Sequence, residues 1–369
     1  MVTAPKKQLL TALAYVIDAK GDVTEKLSDP SKLGSVASAR LQLLPAIRAA
    51  NHLGFNHKIL SLHASQPEDL ELIQISQITL IGKLSANSIE GARDMALANI
   101  AAVTRLKRLG SKVILQYCDN AFHREDRISE LYKDIFELSD YIVYPCEALQ
   151  QLTKTNIRKG TKTHVIPDPW QITQPREPRE ISSNKVKIIW YGSNKNIIYL
   201  QRELQNLISN SSPNYSYELT ILTAQYALEE IKKTIGELKA AKSKWLFRLV
   251  MWQIKSQPTQ LEHEIQSAHI AIIPSDPSDP LKAGVSHNRI VDACRGGCIV
   301  IASPMQSYKD LSDIALLGDN MTTLLNEATS NYPKYCKNLT NRRERLLQRF
   351  DPRVNELSWL NFWKDCLEH

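Results

Sequence analysis

The chain has 369 residues, of which 43% are hydrophobic and 23% are charged. These proportions are typical of a folded globular protein and exclude disordered and collagen-like chains. Forty-six Lys and Arg against thirty-nine Asp and Glu give a formal charge of +7, spread along the chain without a long run of one sign. A dedicated nucleic-acid binder, with a dense basic stripe and aromatic platforms, is therefore not predicted.

The length predicts two domains, because single cores rarely grow beyond about 250–300 residues. The six cysteines form no C-x-x-C pair and mostly fall in apolar segments, so we expect reduced core thiols and a cytoplasmic location. The start imitates a signal peptide, but Asp18 and the lack of a small-residue cleavage site favour a first sheet strand over residues 9–17. No apolar stretch reaches the roughly 18 residues that a membrane-spanning helix needs.

Apolar segments alternate with helical patterns through the first half. The predicted strands are 9–17, 58–62, 79–84, 112–117, 141–145 and 164–166. Between Ile89 and Leu109, apolar residues keep three- and four-residue spacing and Gly110 follows, which predicts a connecting helix. This alternation predicts a parallel sheet with helices on both faces.

Residues 167–184 carry four prolines and little apolar content, which predicts an interdomain linker. The alternation then restarts. The predicted strands are 187–191, 217–223, 244–252, 269–273 and 298–302, and the predicted helices are 195–209, 225–240, one from 259, and the closing region 322–367. For residues 232–252 an alternative is open, since basic residues mixed with aromatic ones could also lie on an anionic membrane surface.

The segment 274–303 gives the clearest chemical signal. A proline-rich loop leads from strand 269–273 into a short helix near Ser286, which ends at Gly296-Gly297. Doubly wound sheets bind anions at such a place, because backbone N–H groups and the helix dipole converge beyond the strand end. Lys282 and Arg289 supply cations there, Ser286 or His287 can cap the helix, and Asn288 adds donors.

Asp292 shares the helix face of Asn288 and Arg289, one turn deeper. A nucleoside diphosphate fits this layout, with phosphate at the cations and ribose at the carboxylate. The alternative is a solvated helix start with an internal ion pair. Asp276 and Asp279 in the preceding loop are predicted to be solvated.

A second turn, Gly192-Ser193-Asn194, lies between a predicted strand and a predicted helix. Gly192 permits close backbone approach and Ser193 can cap the helix, so the turn is either a phosphate site or a structural cap. No G-x-G-x-x-G or Walker-type loop is present in the sequence, which argues against a nicotinamide dehydrogenase or a P-loop enzyme.

Polar residues also follow strands in the first half. Asp119 and His123 follow strand 112–117 and suit proton transfer or hydroxyl binding, although a capping Asp with an incidental His is an equal alternative. Ser38, Arg40 and Lys83 lie in segments that open helices or follow strands. These three either face a ligand or mark helix starts.

The second half resembles the nucleotide-sugar domain of GT-B glycosyltransferases of the family 1 and family 4 type. The resemblance rests on 272–275, 282–292, the Gly296-Gly297 turn, 298–303 and Gly192-Ser193. It implies an α/β fold with two Rossmann-like domains facing across a cleft. The implied domains are 1–168 for the acceptor, a linker 169–184, 185–350 for the donor, and a C-terminal helix 351–369 that returns to the first domain.

The resemblance also implies roles. The expected donor-binding residues are Gly192, Ser193, Lys282, Ser286, Asn288, Arg289 and Asp292, with Asp292 accepting from ribose and Arg289 either binding or packing structurally. The expected catalytic residues are Asp119 and His123, one of them the base if the reaction inverts. The expected acceptor-binding residues are Ser38, Arg40 and Lys83.

One position departs from the family pattern. Many retaining members carry glutamates at the places of Gly284 and Asp292, so the stereochemistry stays open. Without D-x-D spacing, we expect cations and helix dipoles to stabilise the diphosphate without a metal, and no cofactor beyond the donor.

The expected function is glycosyl transfer from a nucleotide sugar to a saccharide or lipid-linked acceptor, in cell-surface polysaccharide or glycolipid synthesis. A peripheral contact with the inner membrane surface is compatible with it. Two alternatives remain: a non-catalytic nucleotide-sugar-binding module of a polysaccharide assembly complex, and a sugar-nucleotide epimerase of the same fold.

Overall fold

The computed structural model describes residues 8–14, 20–28, 37–62, 76–85, 88–124, 127–238, 244–253 and 259–368. The chain divides into two compact units, each with its own sheet. The first comprises Met1–Asp168, Ala283–Ser286 and Pro352–His369, and the second comprises Pro169–Lys282 and His287–Asp351.

The first unit is built on a seven-stranded sheet. Its strands are β1 (Leu9–Leu13), β2 (Gly21–Asp22), β3 (Asn56–Ser61), β4 (Ile78–Ile81), β5 (Lys112–Gln116), β6 (Tyr141–Tyr144) and β7 (Lys162–Val165). They lie in the order β2-β3-β1-β4-β5-β6-β7, and only β2 runs antiparallel to its neighbour. The predicted parallel sheet is confirmed; β2 has two residues, too few for a periodic pattern in the sequence.

Helices cover both faces of this sheet. They are α1 (Thr24–Ser28), a π-helix (Ala39–Leu43), α2 (Leu44–His52), α3 (Ile89–Arg108), α4 (Arg127–Leu138) and α5 (Glu147–Thr153). Helix α3 begins where the Ser88 hydroxyl accepts from the Gly91 N–H at 2.9 Å, and it ends before Gly110, whose φ of +88° is the left-handed conformation that closes helices.

The second unit has a fully parallel six-stranded sheet. Its strands are β8 (Lys185–Tyr191), β9 (Ser216–Thr223), β10 (Trp245–Met251), β11 (Ile270–Ile273), β12 (Ile299–Ala302) and β13 (Ala315–Leu317). The order is β10-β9-β8-β11-β12-β13, in which the chain runs outward from β8 in one direction and resumes at β11 in the other. Ligands of doubly wound sheets bind beyond the strand ends at such a reversal point.

The helices of this unit are α6 (Ile197–Asn210), α7 (Gln225–Leu238), α8 (Thr259–Gln266), α9 (Asn288–Arg295), α10 (Met321–Ser330) and α11 (Tyr332–Leu347). Helix α9 ends at the Gly-Gly turn for a steric reason. A Cβ on Gly297, which has φ +89°, would lie 2.8 Å from the carbonyl oxygens of Arg176 and Glu177. Only glycine permits that approach.

The proline-rich segment after residue 168 is hydrogen-bonded along the second unit. The Thr173 hydroxyl donates to Glu262 at 2.8 Å, the Arg176 N–H donates to the Arg295 carbonyl at 3.0 Å, and the Tyr332 hydroxyl donates to the Arg179 carbonyl at 2.9 Å. We call residues 169–179 the strap.

The last helix, α12 (Pro352–Glu368), belongs to the first unit. It packs against α2 through Trp359, Phe362 and Trp363, which are at most 3% exposed. The Trp363 indole N–H donates to the Ala46 carbonyl at 2.8 Å. Two buried indoles thus complete one face of the first core.

All six cysteines are free, and every one except the half-buried Cys336 is buried. The five buried cysteines lie in the core as predicted, while the cytoplasmic location stays a prediction. Over the ranges given above, none of the helices combines the length and hydropathy that crossing a bilayer requires.

Candidate functional site

The carboxyl ends of β8 and β11 form the candidate site. These two strands are paired neighbours, with Ile188 opposite Ile270, and the chain order reverses between them. The turn Gly192-Ser193 leaves β8 at this edge, and the loop that ends in Lys282 leaves β11 beside it. The two turns that the sequence predicts for donor binding therefore share one edge of one sheet.

Asn196 connects the two turns directly. Its amide nitrogen donates to the Ser193 hydroxyl at 3.3 Å, and its amide oxygen accepts from the Lys282 ammonium at 2.7 Å. The same ammonium lies 5.5 Å from the centroid of the Tyr199 ring. No local sequence pattern predicts Asn196 or Tyr199 at this site, because both contact Lys282, which lies far away in the chain.

Arg289 lies in the first turn of α9 and contacts the last residue of β8. Its backbone carbonyl accepts from the Tyr191 hydroxyl at 2.6 Å. Its Nη1 atom is buried and finds no hydrogen-bond partner among the residues with a described placement. A buried guanidinium nitrogen without an acceptor is costly, and an anion placed beside it would supply the acceptor.

Tyr191 is a neutral donor in this site. Burial, together with the nearby carboxylate of Asp292, raises the pKa of the Tyr191 phenol well above its ordinary value. Its hydroxyl therefore stays protonated and keeps the Arg289 backbone fixed over the strand end.

The start of α9 is not capped as the sequence predicts. His287 is the N-cap residue but makes no capping bond with its side chain. Its Nε2 instead lies 3.2 Å from Asp310, while the Ser286 hydroxyl donates to Asp168 at 2.7 Å. The predicted capping by Ser286 or His287 is wrong because both side chains have stronger carboxylate partners elsewhere, and the donor-binding role of Ser286 and Asn288 stays a prediction.

Asp292 is 1% exposed, and its carboxylate holds the strap. One oxygen accepts from the Gln171 backbone N–H at 2.7 Å and the other from the Gln171 side-chain amide at 2.9 Å. The structure thus gives this carboxylate a structural task, whereas acceptance from a ribose stays a prediction.

Gly284 is the position at which the resemblance predicts a glutamate in many retaining members, and its surroundings in this protein exclude such a side chain. Its φ is +75°, and a Cβ would lie 2.8 Å from the Cα and Cβ of Leu149. Its carbonyl accepts from the Cys146 thiol at 3.3 Å. No side chain fits at this position without displacing the backbone of α5.

Two predicted residues of the first unit lie together. Lys83 follows β4 and Asp119 follows β5, the next strand in the sheet, and their side chains form an ion pair. The Asp119 charge raises the pKa of Lys83. The predicted acceptor-binding residue Lys83 and the predicted base Asp119 are therefore direct partners. His123, the other predicted catalytic residue, is exposed in the short helix Ala121–His123.

Ser38 and Arg40 are half-buried at the start of the π-helix, an irregularity frequent at functional sites. The neighbouring Gln42 donates to Asp168 at 2.9 Å and accepts from the thiol of Cys118. Burial keeps that thiol protonated by raising the pKa of Cys118 well above its ordinary value. No local sequence pattern predicts this network, because its members are distant along the chain.

Metal ligation has no support in the parts of the chain that are described. They contain no group of three or more His, Cys, Asp or Glu side chains arranged to hold a metal ion. The metal independence of the reaction stays a prediction.

No protein-family model matches the sequence, and no curated protein matches it. Solved structures do. The crystal structure of Anabaena HepE in complex with UDP and glucose aligns over 97% of this chain and 100% of that chain, with a TM-score of 0.63 and 12% identity.

Two further structures align over nearly their whole length. α,α-Trehalose-phosphate synthase (UDP-forming) from Burkholderia vietnamiensis aligns over 98% of this chain and 99% of its own, with a TM-score of 0.59 and 11% identity. An α-glucosyltransferase in complex with UDP-glucose and DNA containing an abasic site aligns over 96% and 98%, with a TM-score of 0.55 and 11% identity. These are GT-B glycosyltransferases, and the likeness confirms the predicted GT-B fold of two Rossmann-like units.

Proposed function

We propose that the protein is a glycosyltransferase that binds a nucleotide-sugar donor at the β8–β11 edge and transfers its sugar to a hydroxyl acceptor. The observation that carries the proposal is the buried Nη1 of Arg289, without a partner in the described structure, at the point where the sheet order reverses. The crystal structures of similar fold that contain UDP or UDP-glucose support it. Uridine diphosphate sugars are therefore the first donors to test.

Each group at this edge has a task in the proposed reaction. The bond between the anomeric carbon and the diphosphate oxygen breaks, and the anomeric carbon bonds to the acceptor oxygen, which loses its proton. Lys282, Arg289 and the N-terminus of α9 stabilise the negative charge that develops on the departing diphosphate. Gly192 is buried beside Trp190, and its lack of a side chain lets a phosphate approach the backbone.

The Lys83–Asp119 pair is the candidate for the acceptor side. Asp119 would take the acceptor proton if the reaction inverts, and Lys83 would orient a hydroxyl beside it. Many retaining members of the family that the chain resembles carry a glutamate at the place of Gly284, and its absence here is compatible with an inverting route. We also propose that the acceptor is a polysaccharide or is lipid-linked, and that the protein contacts a membrane surface peripherally.

Binding tests the donor half. UDP and UDP-glucose should raise the melting temperature of the wild-type protein and bind measurably by calorimetry. Arg289→Ala and Lys282→Ala should each weaken UDP by about 10-fold or more, because each removes a charged hydrogen bond to phosphate. Arg342→Ala is the matched control, because this exposed arginine of the same unit pairs with Asp313 at 3.0 Å.

Turnover separates the proposal from its alternatives. Release of UDP that depends on an added saccharide or lipid-linked acceptor supports transfer. Conversion of the donor without any acceptor would indicate an epimerase, and binding without UDP release under all conditions would indicate a binding module. An Arg289→Ala protein that binds UDP as tightly as wild type would overturn the donor site.

A further inference from the structure

The loop that carries Lys282 is fastened to α6 by a partly buried hydrogen bond and by an ion pair between Arg202 and Asp276 at 3.4 Å. The Tyr199 hydroxyl donates to Asp279 Oδ2 at 2.6 Å, and Tyr199 is 8% exposed. The sequence-based prediction that the Asp279 carboxylate is solvated is therefore wrong, because one of its oxygens accepts a hydrogen bond from Tyr199. Its real partner lies 80 positions earlier in the chain.

Asp279 also shapes the backbone in front of Lys282. Its other carboxylate oxygen accepts from the Leu281 N–H at 2.9 Å, and its carbonyl accepts from the Lys282 N–H at 2.9 Å. These bonds make a tight turn in which the position of Lys282 follows from the position of Asp279. A contact that holds Asp279 in place therefore also holds the backbone of Lys282 in place.

Tyr199 acts on both ends of that side chain. Its hydroxyl holds Asp279 at the root, while its ring lies 5.5 Å from the Lys282 ammonium at the tip. Asn196, one residue before α6, accepts from the same ammonium at 2.7 Å. The first turn of α6 therefore fixes a long side chain that otherwise has many rotamers.

From these contacts we propose that the Tyr199–Asp279 pair is a positioning device that holds the Lys282 ammonium ready for the donor diphosphate. This inference rests on the proposed function and deepens it. Pre-orientation removes the rotamer entropy that an unrestrained lysine would lose on binding phosphate. Tyr199 and Asp279 touch Lys282 and its loop, so they are positioning residues for the reaction.

The test is a double-mutant cycle read by UDP affinity. Tyr199→Phe keeps the ring under the ammonium and removes only the bond to Asp279. Lys282→Met keeps the aliphatic stem and removes the charge. We expect Tyr199→Phe to weaken UDP by about 3- to 10-fold in the wild-type background, and to have no further effect in the Lys282→Met background.

Two controls distinguish positioning of Lys282 from a general structural role of Tyr199. They are the ligand uridine and the variant Tyr215→Phe. Uridine lacks the diphosphate, so its affinity should be the same in wild type and in Tyr199→Phe. Tyr215→Phe removes a tyrosine hydroxyl that donates to the Thr329 carbonyl at 3.2 Å in the same unit, and it should leave UDP affinity unchanged.

The outcomes separate this inference from the proposed function. If the wild-type protein binds no UDP, both are overturned. If it binds UDP but Tyr199→Phe has no effect, or weakens UDP equally with and without Lys282, the positioning role alone is wrong. An equal loss for uridine and UDP would likewise show that Tyr199 acts on the fold of the unit and not on Lys282.

Discussion

At the scale of single residues, Gly284 shows how a backbone contact decides a chemical question. Its φ of +75° and a Cβ position 2.8 Å from Leu149 both require glycine. The close packing between Ala283–Ser286 and α5 thus excludes a glutamate at this position. A carboxylate could return to this position only if that packing were lost.

Gly284→Ala should destabilise the protein by about 2–5 kcal/mol, the sum of left-handed strain and overpacking. Gly110→Ala is the matched control, because Gly110 has φ +88° but nothing within 4 Å of its Cβ position. It should cost only about 1–2 kcal/mol. Urea unfolding of both variants measures the difference, and equal costs would mean that the contact with Leu149 is unimportant.

His269 makes a pH-dependent contribution to stability. It is 5% exposed, its Nδ1 accepts from the Lys187 N–H at 2.9 Å, and burial lowers its pKa to about 4 from 6.5. The unfolded chain therefore binds a proton between pH 6.5 and 4 that the folded chain does not. The contribution of His269 to the free energy of unfolding is complete above about pH 6.5 and is lost as the pH decreases towards 4.

The expected loss over this interval is on the order of 2–3 kcal/mol. His269→Gln can accept the same hydrogen bond without titrating. Its urea midpoint should therefore change less with pH, between pH 7 and 4.5, than that of the wild-type protein. His123→Gln changes an exposed histidine and should leave the pH profile as in wild type. An unchanged slope in His269→Gln would show that other groups control it.

At the scale of elements, the strap and α9 depend on each other through Asp292. Asp292→Ala leaves the Gln171 N–H without its acceptor and should destabilise the second unit by about 1–3 kcal/mol. Gln171→Ala removes only the side-chain bond and should cost less. Urea unfolding compares the two variants.

A third variant, Asp292→Asn, decides between the structural role of Asp292 and acceptance from a ribose. If Asp292 binds ribose, wild type should prefer UDP over 2′-deoxy-UDP or 3′-deoxy-UDP, and Asp292→Asn should lose that preference. If its role is only to hold the strap, Asp292→Asn should weaken the three ligands by the same factor. Calorimetry with the three nucleotides separates these results.

Much of this element structure is readable in the sequence. Strands β11 and β12 are buried throughout, so they appear as the apolar runs 270–273 and 299–302. The loop before α9 and the Gly-Gly turn predict an anion site by local chemistry alone. What could not be predicted are the partners of Asp279, Asp292 and Ser286, because each lies about eighty or more positions away, and sequence patterns reveal only local neighbours.

At the scale of the whole molecule, the three donor-site groups Gly192, Lys282 and Arg289 all lie in the second unit. When UDP is added, hydrogen–deuterium exchange should therefore become slower in peptides covering 190–196 and 287–295 of the second unit. Peptides covering β4–β7 should exchange at an unchanged rate. Protection confined to the first sheet would place the nucleotide in the other unit and contradict the assignment.

The indole of Trp363 bonds to the Ala46 carbonyl across 317 positions of sequence, and this has a consequence for synthesis. On the ribosome, α2 emerges long before the helix that covers it, and residues 169–351 must be translated in between. At about 5–20 residues per second, that interval is roughly 10–40 s. During it the nascent first unit exposes an apolar face, to which we expect chaperones that act during translation to bind. All strands of the second sheet, in contrast, are translated before α12.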